Sequence, residues 1–214
     1  MKFFTLINNS FEDTVSIKKN VFILLLLSIA FQILFFWRAP VSAETEFSTI
    51  DTATSLAGLI ILQFFHLGFL YSFMHKRASL QTITRSVSSL FLKLLVAVAL
   101  VGILAAFGFL LLIIPGLLVM AFLFLVEPII LFENKTIKEA LLESYERTKK
   151  VFLPIFLCII LYVAVAFSFA GNEEMSSFWL VVNGIGAGFF SLFYASLMHN
   201  AYTATAVKAV THEE

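Results

Sequence analysis

The sequence predicts an all-α polytopic transmembrane helical bundle, with about six spans, interfacial amphipathic helices, and both termini on the cytoplasmic side. Three observations predict it: an apolar composition, a series of uncharged runs of spanning length, and basic residues confined to alternate connections. Hydrophobic residues make up 60% of the 214 residues and charged ones 13%, with a mean hydropathy of +0.98. Soluble domains run near half apolar and a quarter charged, so a core this large would lack the polar surface to cover it. The 26 Phe residues strengthen the same reading. The 14 basic and 14 acidic residues cancel, so their placement is informative where their sum is not.

Residues 1–20 form an amphipathic segment leading into the first span. A spanning helix needs about 20 apolar residues at about 1.5 Å each. Such runs occupy 21–37, 53–74, 94–114, 115–132, 151–170 and 177–207. The stretch from Leu94 to Phe132 holds a single charge, Glu127. As one helix it would measure about 58 Å, nearly two bilayers, and Pro115-Gly116 divides it into a hairpin. The chain reads as one membrane-embedded domain, 1–214.

Orientation follows from the basic residues. Lys2, Lys18 and Lys19 precede the first span; Lys76, Arg77, Arg85 and Lys93 follow the second. Lys135, Lys138, Arg147, Lys149 and Lys150 follow the fourth, and Lys208 lies in the tail. Only Arg38 falls on the other side, beside Glu44, Glu46 and Asp51. The positive-inside rule makes the basic side cytoplasmic. Trp37 and Trp179 fall at the opposite boundary, where aromatic belts sit. Val41-Ser42-Ala43 resembles a signal-peptidase site, but the apolar run before it is long and Arg38 and Pro40 intervene, so the first span is expected to be retained.

Residues 136–150 predict a cytoplasmic amphipathic helix. Thr136-Ile137-Lys138-Glu139 is a capping-box pattern, and Ile137, Leu141, Ser144, Tyr145 and Thr148 recur at helical spacing. Such a helix would lie along the inner leaflet with its basic end near anionic headgroups. Ser144-Tyr145-Glu146-Arg147-Thr148 also parallels Ser10-Phe11-Glu12-Asp13-Thr14, each leading to a Lys pair and a span, and Leu80–Ser89 is a weaker third candidate. The pattern suggests three units, each an interfacial helix followed by a two-span hairpin. Topological bias alone would also place basic residues before each such span.

Polar residues within spans are the candidate functional residues, because insertion costs them free energy. Glu127 leads, next to Pro128, whose missing amide frees a carbonyl upstream. It could hold a proton or cation, or lie protonated or paired with an inner-leaflet base while Pro128 kinks the helix. Gln63 and His66 share a face of the second span; His199, Asn200 and Asn183 lie in the last. His66, His199 and Glu127 could in principle hold a metal, but interhelical hydrogen bonding is the expectation. No metal, cofactor or catalytic residue is assigned. Gly184 and Gly188 form a packing face, with Gly102, Ala105 and Ala106 as expected mates. Cys158, the single cysteine, reads as a small buried hydrophobe.

Ile114-Pro115-Gly116-Leu117, Glu127-Pro128-Ile129, Phe132-Glu133-Asn134 and the Ala140, Ser144, Thr148 series before a new span resemble the YciC-like inner-membrane proteins. Those are similar in pattern to the membrane domain accompanying some glycerophosphodiester phosphodiesterases. The resemblance implies a six-span protein of the bacterial inner membrane and supplies no catalytic residues. The hydrolase domain has no counterpart, since no soluble segment is long enough for its metal site.

Three function classes follow. The first is a non-enzymatic envelope protein acting through helix or lipid contacts, its partners being the bilayer and either another membrane protein or a second copy. The second is a small-molecule or ion transporter or channel, and the geometric discriminator is whether Gln63, His66, Glu127, Asn183 and His199 converge on a water-filled cavity or scatter. An intramembrane enzyme lacks its motifs, and nucleic-acid binding lacks a basic patch with stacking aromatics.

Overall fold

A computed structural model describes residues 3–15, 19–38, 49–170 and 177–210; side chains within 35–38, 49–53, 165–170, 177–184 and 207–210, and that of Ser55, are not described. Among the described residues every regular element is a helix and there is no strand. The helices are α1 (Phe3–Val15), α2 (Lys19–Arg38), α3 (Thr49–Met74), α4 (Leu80–Leu111), α5 (Ile113–Phe122), α6 (Val126–Glu133), α7 (Ile137–Lys149), α8 (Phe152–Ala170) and α9 (Ser177–Val210). Three stretches among the described residues are apolar enough and long enough to cross a membrane: Leu56–Met74, Leu80–Leu111 and Ile113–Glu133. Both tryptophans, Trp37 and Trp179, lie where side chains are not described.

The third expected span is longer at its polar end than its hydropathy suggests. Ser79 caps α4 by accepting from the Thr82 amide, and no Gly or Pro interrupts the helix before Gly102. The Leu80–Ser89 segment therefore continues into the span as one helix of 32 residues rather than forming a separate interfacial helix.

The hairpin exists, but its turn is at Leu112, which is extended at φ −169° and ψ 159°. Pro115 occupies the first turn of α5, where its missing amide would have been unpaired anyway. Gly116 and Gly108 instead set how closely α4 and α5 pack. A Cβ on Gly108 would come 2.8 Å from the Gly116 backbone, and one on Gly116 would run into the Phe109 ring. The base of the hairpin is tied by Lys93, whose Nζ donates to the Asn134 carbonyl and Oδ1 at 3.2 Å each. Asn134 takes the left-handed conformation (φ 51°) that ends α6, a geometry Asn tolerates better than most residues.

The expected fourth span is not continuous. It breaks between α5 and α6 at Leu123–Leu125. Pro128 does not kink a helix; it sits in the first turn of α6, so its missing amide belongs to the break.

α7 closes this break. Its capping box forms as expected, with Thr136 Oγ1 accepting from the Glu139 amide and the Glu139 carboxylate accepting from the Thr136 amide. Its buried stripe is narrower than the sequence suggests. Ala140, Ser144 and Thr148 are fully buried, whereas Tyr145 is exposed. The small residues face inward because α7 lies directly on the broken backbone. The Ser144 hydroxyl accepts from the Leu125 amide at 3.1 Å and donates to the Phe122 carbonyl at 2.8 Å. One side chain thus satisfies two backbone groups that the helix break leaves open.

α1 buries the same spacing, Leu6, Ser10 and Thr14. It packs on α9, while α7 packs on α5 and α6. Each unit's first long helix packs on the second helix of the unit before it: α2 on α9, α4 on α3, α8 on α5. This is the arrangement a cyclic threefold repeat would give, although the middle unit's polar segment is fused to its span.

The last helix packs differently from expectation. Gly188 is buried against Ile29 and Leu25 of α2, and Gly102 has nothing within 4 Å of where a Cβ would stand. The mates on α4 are therefore replaced by α2, because α9 follows α2 and α3 around the bundle. The surroundings of Gly184 lie outside the described residues.

Candidate functional site

The break in α5–α6 positions Glu127. A helix start carries unpaired amides and a partial positive charge, so a carboxylate in its first turn is favourably placed. Glu127 stands in the first turn of α6, about 9 Å of helix rise from Glu133 at its C-terminal end. Its carboxylate meets the two polar residues that α3 presents on one face. Gln63 Nε2 donates to Glu127 Oε2 at 2.9 Å, and His66 Nε2 lies 3.6 Å from the same oxygen. The Gln63–Glu127 bond links residues 64 positions apart, so it is a tertiary contact between α3 and α6.

His66 is buried, and its Nε2 has no hydrogen-bond partner. An unpaired buried nitrogen costs about 1–3 kcal/mol. The imidazole lies 5.4 Å, centroid to centroid, from the Tyr194 ring on α9.

These groups border a cavity of about 420 Å³. Its polar lining comes from Gln32 on α2, Gln63 and His66 on α3, Glu127 on α6 and Ser191 on α9. Tyr162 of α8 with Phe190 and Tyr194 of α9 form an aromatic wall. Tyr162 stacks on Phe190 at 4.9 Å and meets Tyr194 at 4.2 Å. Each of these helices is apolar over most of its length, and these polar groups gather at one cavity between them. A volume near 400 Å³ lies at the small end of the range for small-molecule sites.

Three of the sequence candidates converge here: Gln63, His66 and Glu127. His199 does not. It stacks on Phe73 at 6.2 Å, and its buried Nδ1 has no hydrogen-bond partner. Asn200 also faces elsewhere, donating to Asp13 Oδ2 at 3.0 Å where α1 meets α9. Asn183 lies where side chains are not described. Since His199 is apart from His66 and Glu127, the three cannot share a metal, and no group of three potential ligands gathers among the described residues. Sequence reasoning missed Gln32, Ser191, Tyr162 and Tyr194. Gln32 had a signal, being a polar residue inside an otherwise apolar run; the tyrosines and Ser191 are ordinary constituents of spans and had none.

A second polar cluster ties α6, α7 and α9 where α6 gives way to α7. Arg147 Nη2 donates to Glu133 Oε2 at 3.0 Å and also pairs with Glu143; Lys135 pairs with Glu133 at 3.0 Å and with Glu143. Tyr202 of α9 donates to Glu133 Oε1 at 2.8 Å. The hydrogen bond from Lys135 to Glu143 holds the Lys135 ammonium above its usual range. This cluster fixes α7 against the bundle and so holds Ser144 over the break.

Compared with family models, curated proteins and solved structures, the chain matches none.

Proposed function

We propose that this chain is a six-span integral membrane protein, with both termini cytoplasmic, that binds a small polar solute in its central cavity as a carrier-type protein rather than an enzyme. One observation supports the reading above the others: Gln63 and His66 of α3 meet Glu127 of α6 to line one cavity. That convergence is the feature that separates a solute pathway from a protein acting only through lipid or helix contacts. The helix break beside the site supports it too. Discontinuous helices are a recurring way of presenting backbone termini and side chains to a solute within a membrane. The basic connections after α3 and α6 support the cytoplasmic assignment, and the YciC-like resemblance supports placement in an inner membrane.

The reading is tested by cysteine accessibility in a Cys158→Ser background. Ser191 lines the cavity, whereas Leu192, its neighbour, is fully buried away from it. In sealed vesicles, Ser191→Cys should react with a small water-soluble methanethiosulfonate and Leu192→Cys should not. Equal and slow reaction at both positions would show that the cavity holds no water pathway and would return the protein to the contact class.

A further inference from the structure

The chemistry of the cavity walls identifies the class of solute, resting on the binding reading just given. Among the described residues that line the cavity, Glu127 is the acidic one, and none is a lysine or arginine. Gln63 already donates to Oε2, so the carboxylate is oriented as an acceptor. His66 Nε2 is buried, lies 3.6 Å from that oxygen and has no hydrogen-bond partner. A donor entering the cavity would select the imidazole tautomer with its proton on Nδ1, which makes Nε2 a second acceptor. In that tautomer the carboxylate and the imidazole are two acceptors within reach of one donor.

The aromatic part of the lining excludes most donors. Tyr162, Phe190 and Tyr194 border the cavity with aromatic rings, a residue type that attracts cations and covers hydrocarbon. An inorganic divalent ion would need six or more oxygens, or several nitrogen and carboxylate ligands, and the wall offers mostly carbon. An anion would meet Glu127 with no basic partner. Water alone would satisfy His66 but would leave the aromatic wall unmatched.

We propose that the cavity binds an organic ammonium ion, a protonated amine carrying an apolar substituent, with its N–H groups donated to Glu127 and His66 and its hydrocarbon laid against Tyr162, Phe190 and Tyr194. The carboxylate supplies charge, the imidazole supplies direction, and the aromatic wall selects against small hydrated cations such as sodium.

Binding is measured on the full chain in lipid nanodiscs at neutral pH, by calorimetry and by thermal shift. Three probes of one shape are used: benzylammonium, benzyl alcohol and benzoate. Benzylammonium should bind saturably and about tenfold or more tightly than benzyl alcohol, with benzoate weakest. Glu127→Gln should bring benzylammonium and benzyl alcohol to similar affinity, and Glu127→Asp should keep the preference for the cation. His66→Phe, which keeps the ring and removes the acceptor, should weaken benzylammonium while leaving benzyl alcohol unchanged. If Glu127→Gln does not fold, the ranking in the unmodified protein and in Glu127→Asp decides. Benzyl alcohol binding as tightly as benzylammonium would overturn the ammonium assignment and leave the solute-binding reading standing. Benzoate binding most tightly would overturn it in the same way. No binding of any probe, together with an inert Ser191→Cys, would remove both.

Discussion

Ser144 offers the sharpest test of how the broken helix is held. It is fully buried, and its hydroxyl serves both the Leu125 amide and the Phe122 carbonyl. Ser144→Ala removes both bonds and keeps the helix. At the roughly 0.6 kcal/mol average for hydrogen bonds in membrane proteins, two bonds would account for about 1.2 kcal/mol. Two backbone groups left buried without partners cost more, about 1–3 kcal/mol each. The expected loss is therefore about 2–6 kcal/mol, read as the change in reversible unfolding by SDS in mixed micelles. Thr148, one turn further along the same face, is the internal control. It is equally buried, but its Oγ1 has no hydrogen-bond partner. Thr148→Val keeps the shape and removes an unsatisfied hydroxyl, so it should be neutral or stabilising by up to about 1 kcal/mol. A Ser144→Ala loss under about 0.5 kcal/mol, or a Thr148→Val loss of equal size, would refute the view that Ser144 completes the break.

Further outcomes follow from the packing. Gly108→Ala should destabilise the α4–α5 hairpin by about 1–3 kcal/mol, because its Cβ meets backbone at 2.8 Å, whereas Gly102→Ala, facing open space, should be neutral or stabilising in the same SDS titration. Arg147→Leu should cost about 1–2 kcal/mol, since Glu133 and Glu143 lose the guanidinium but keep Lys135 in a partly exposed cluster, and no measurable change would mean that α7 is not held by Arg147. The Thr136 hydroxyl, with the Thr136 amide, holds the Glu139 carboxyl below the usual carboxylate range. Such a group contributes its stability above the unfolded pKa and loses it as pH falls through the lower folded value, so a carbon-13 titration of Glu139 should show a midpoint below that of a free glutamate. For topology, a cytoplasm-active reporter fused at Lys76 should be active and one fused after Glu174 inactive, with a periplasm-active reporter giving the reverse.

The helices were legible because long apolar runs and alternating basic connections are strong, redundant signals. α7 was legible to the residue at its start, since a capping box states its own hydrogen bonds. The break in the fourth span was not. Leu123, Phe124 and Leu125 are good helix-compatible residues, and what opens the helix there is distant: Pro128 withholds an amide and Ser144 supplies the replacement bonds. The turn at Leu112 was misplaced toward Pro115-Gly116 because Pro and Gly punctuate turns in general, whereas here they permit a helix start and a close helix crossing. Gly188 shows the related limit. A small-residue face announces that a helix approaches but does not say which one, and α2 rather than α4 lies there. Within the site, Gln63 and Glu127 stood out because polar groups are costly in spans. The aromatic wall did not, since Tyr and Phe are common in these helices.

The account rests on α3 and α6 bringing Gln63 and Glu127 together at a cavity that His199 does not share. A short bifunctional methanethiosulfonate applied to cysteine pairs in a Cys158→Ser background measures this directly, with cross-links located by proteolysis and mass spectrometry. The pair Gln63→Cys with Glu127→Cys should cross-link within one chain, and the pair His199→Cys with Glu127→Cys should not. Cross-linking of the second pair without the first would contradict the arrangement.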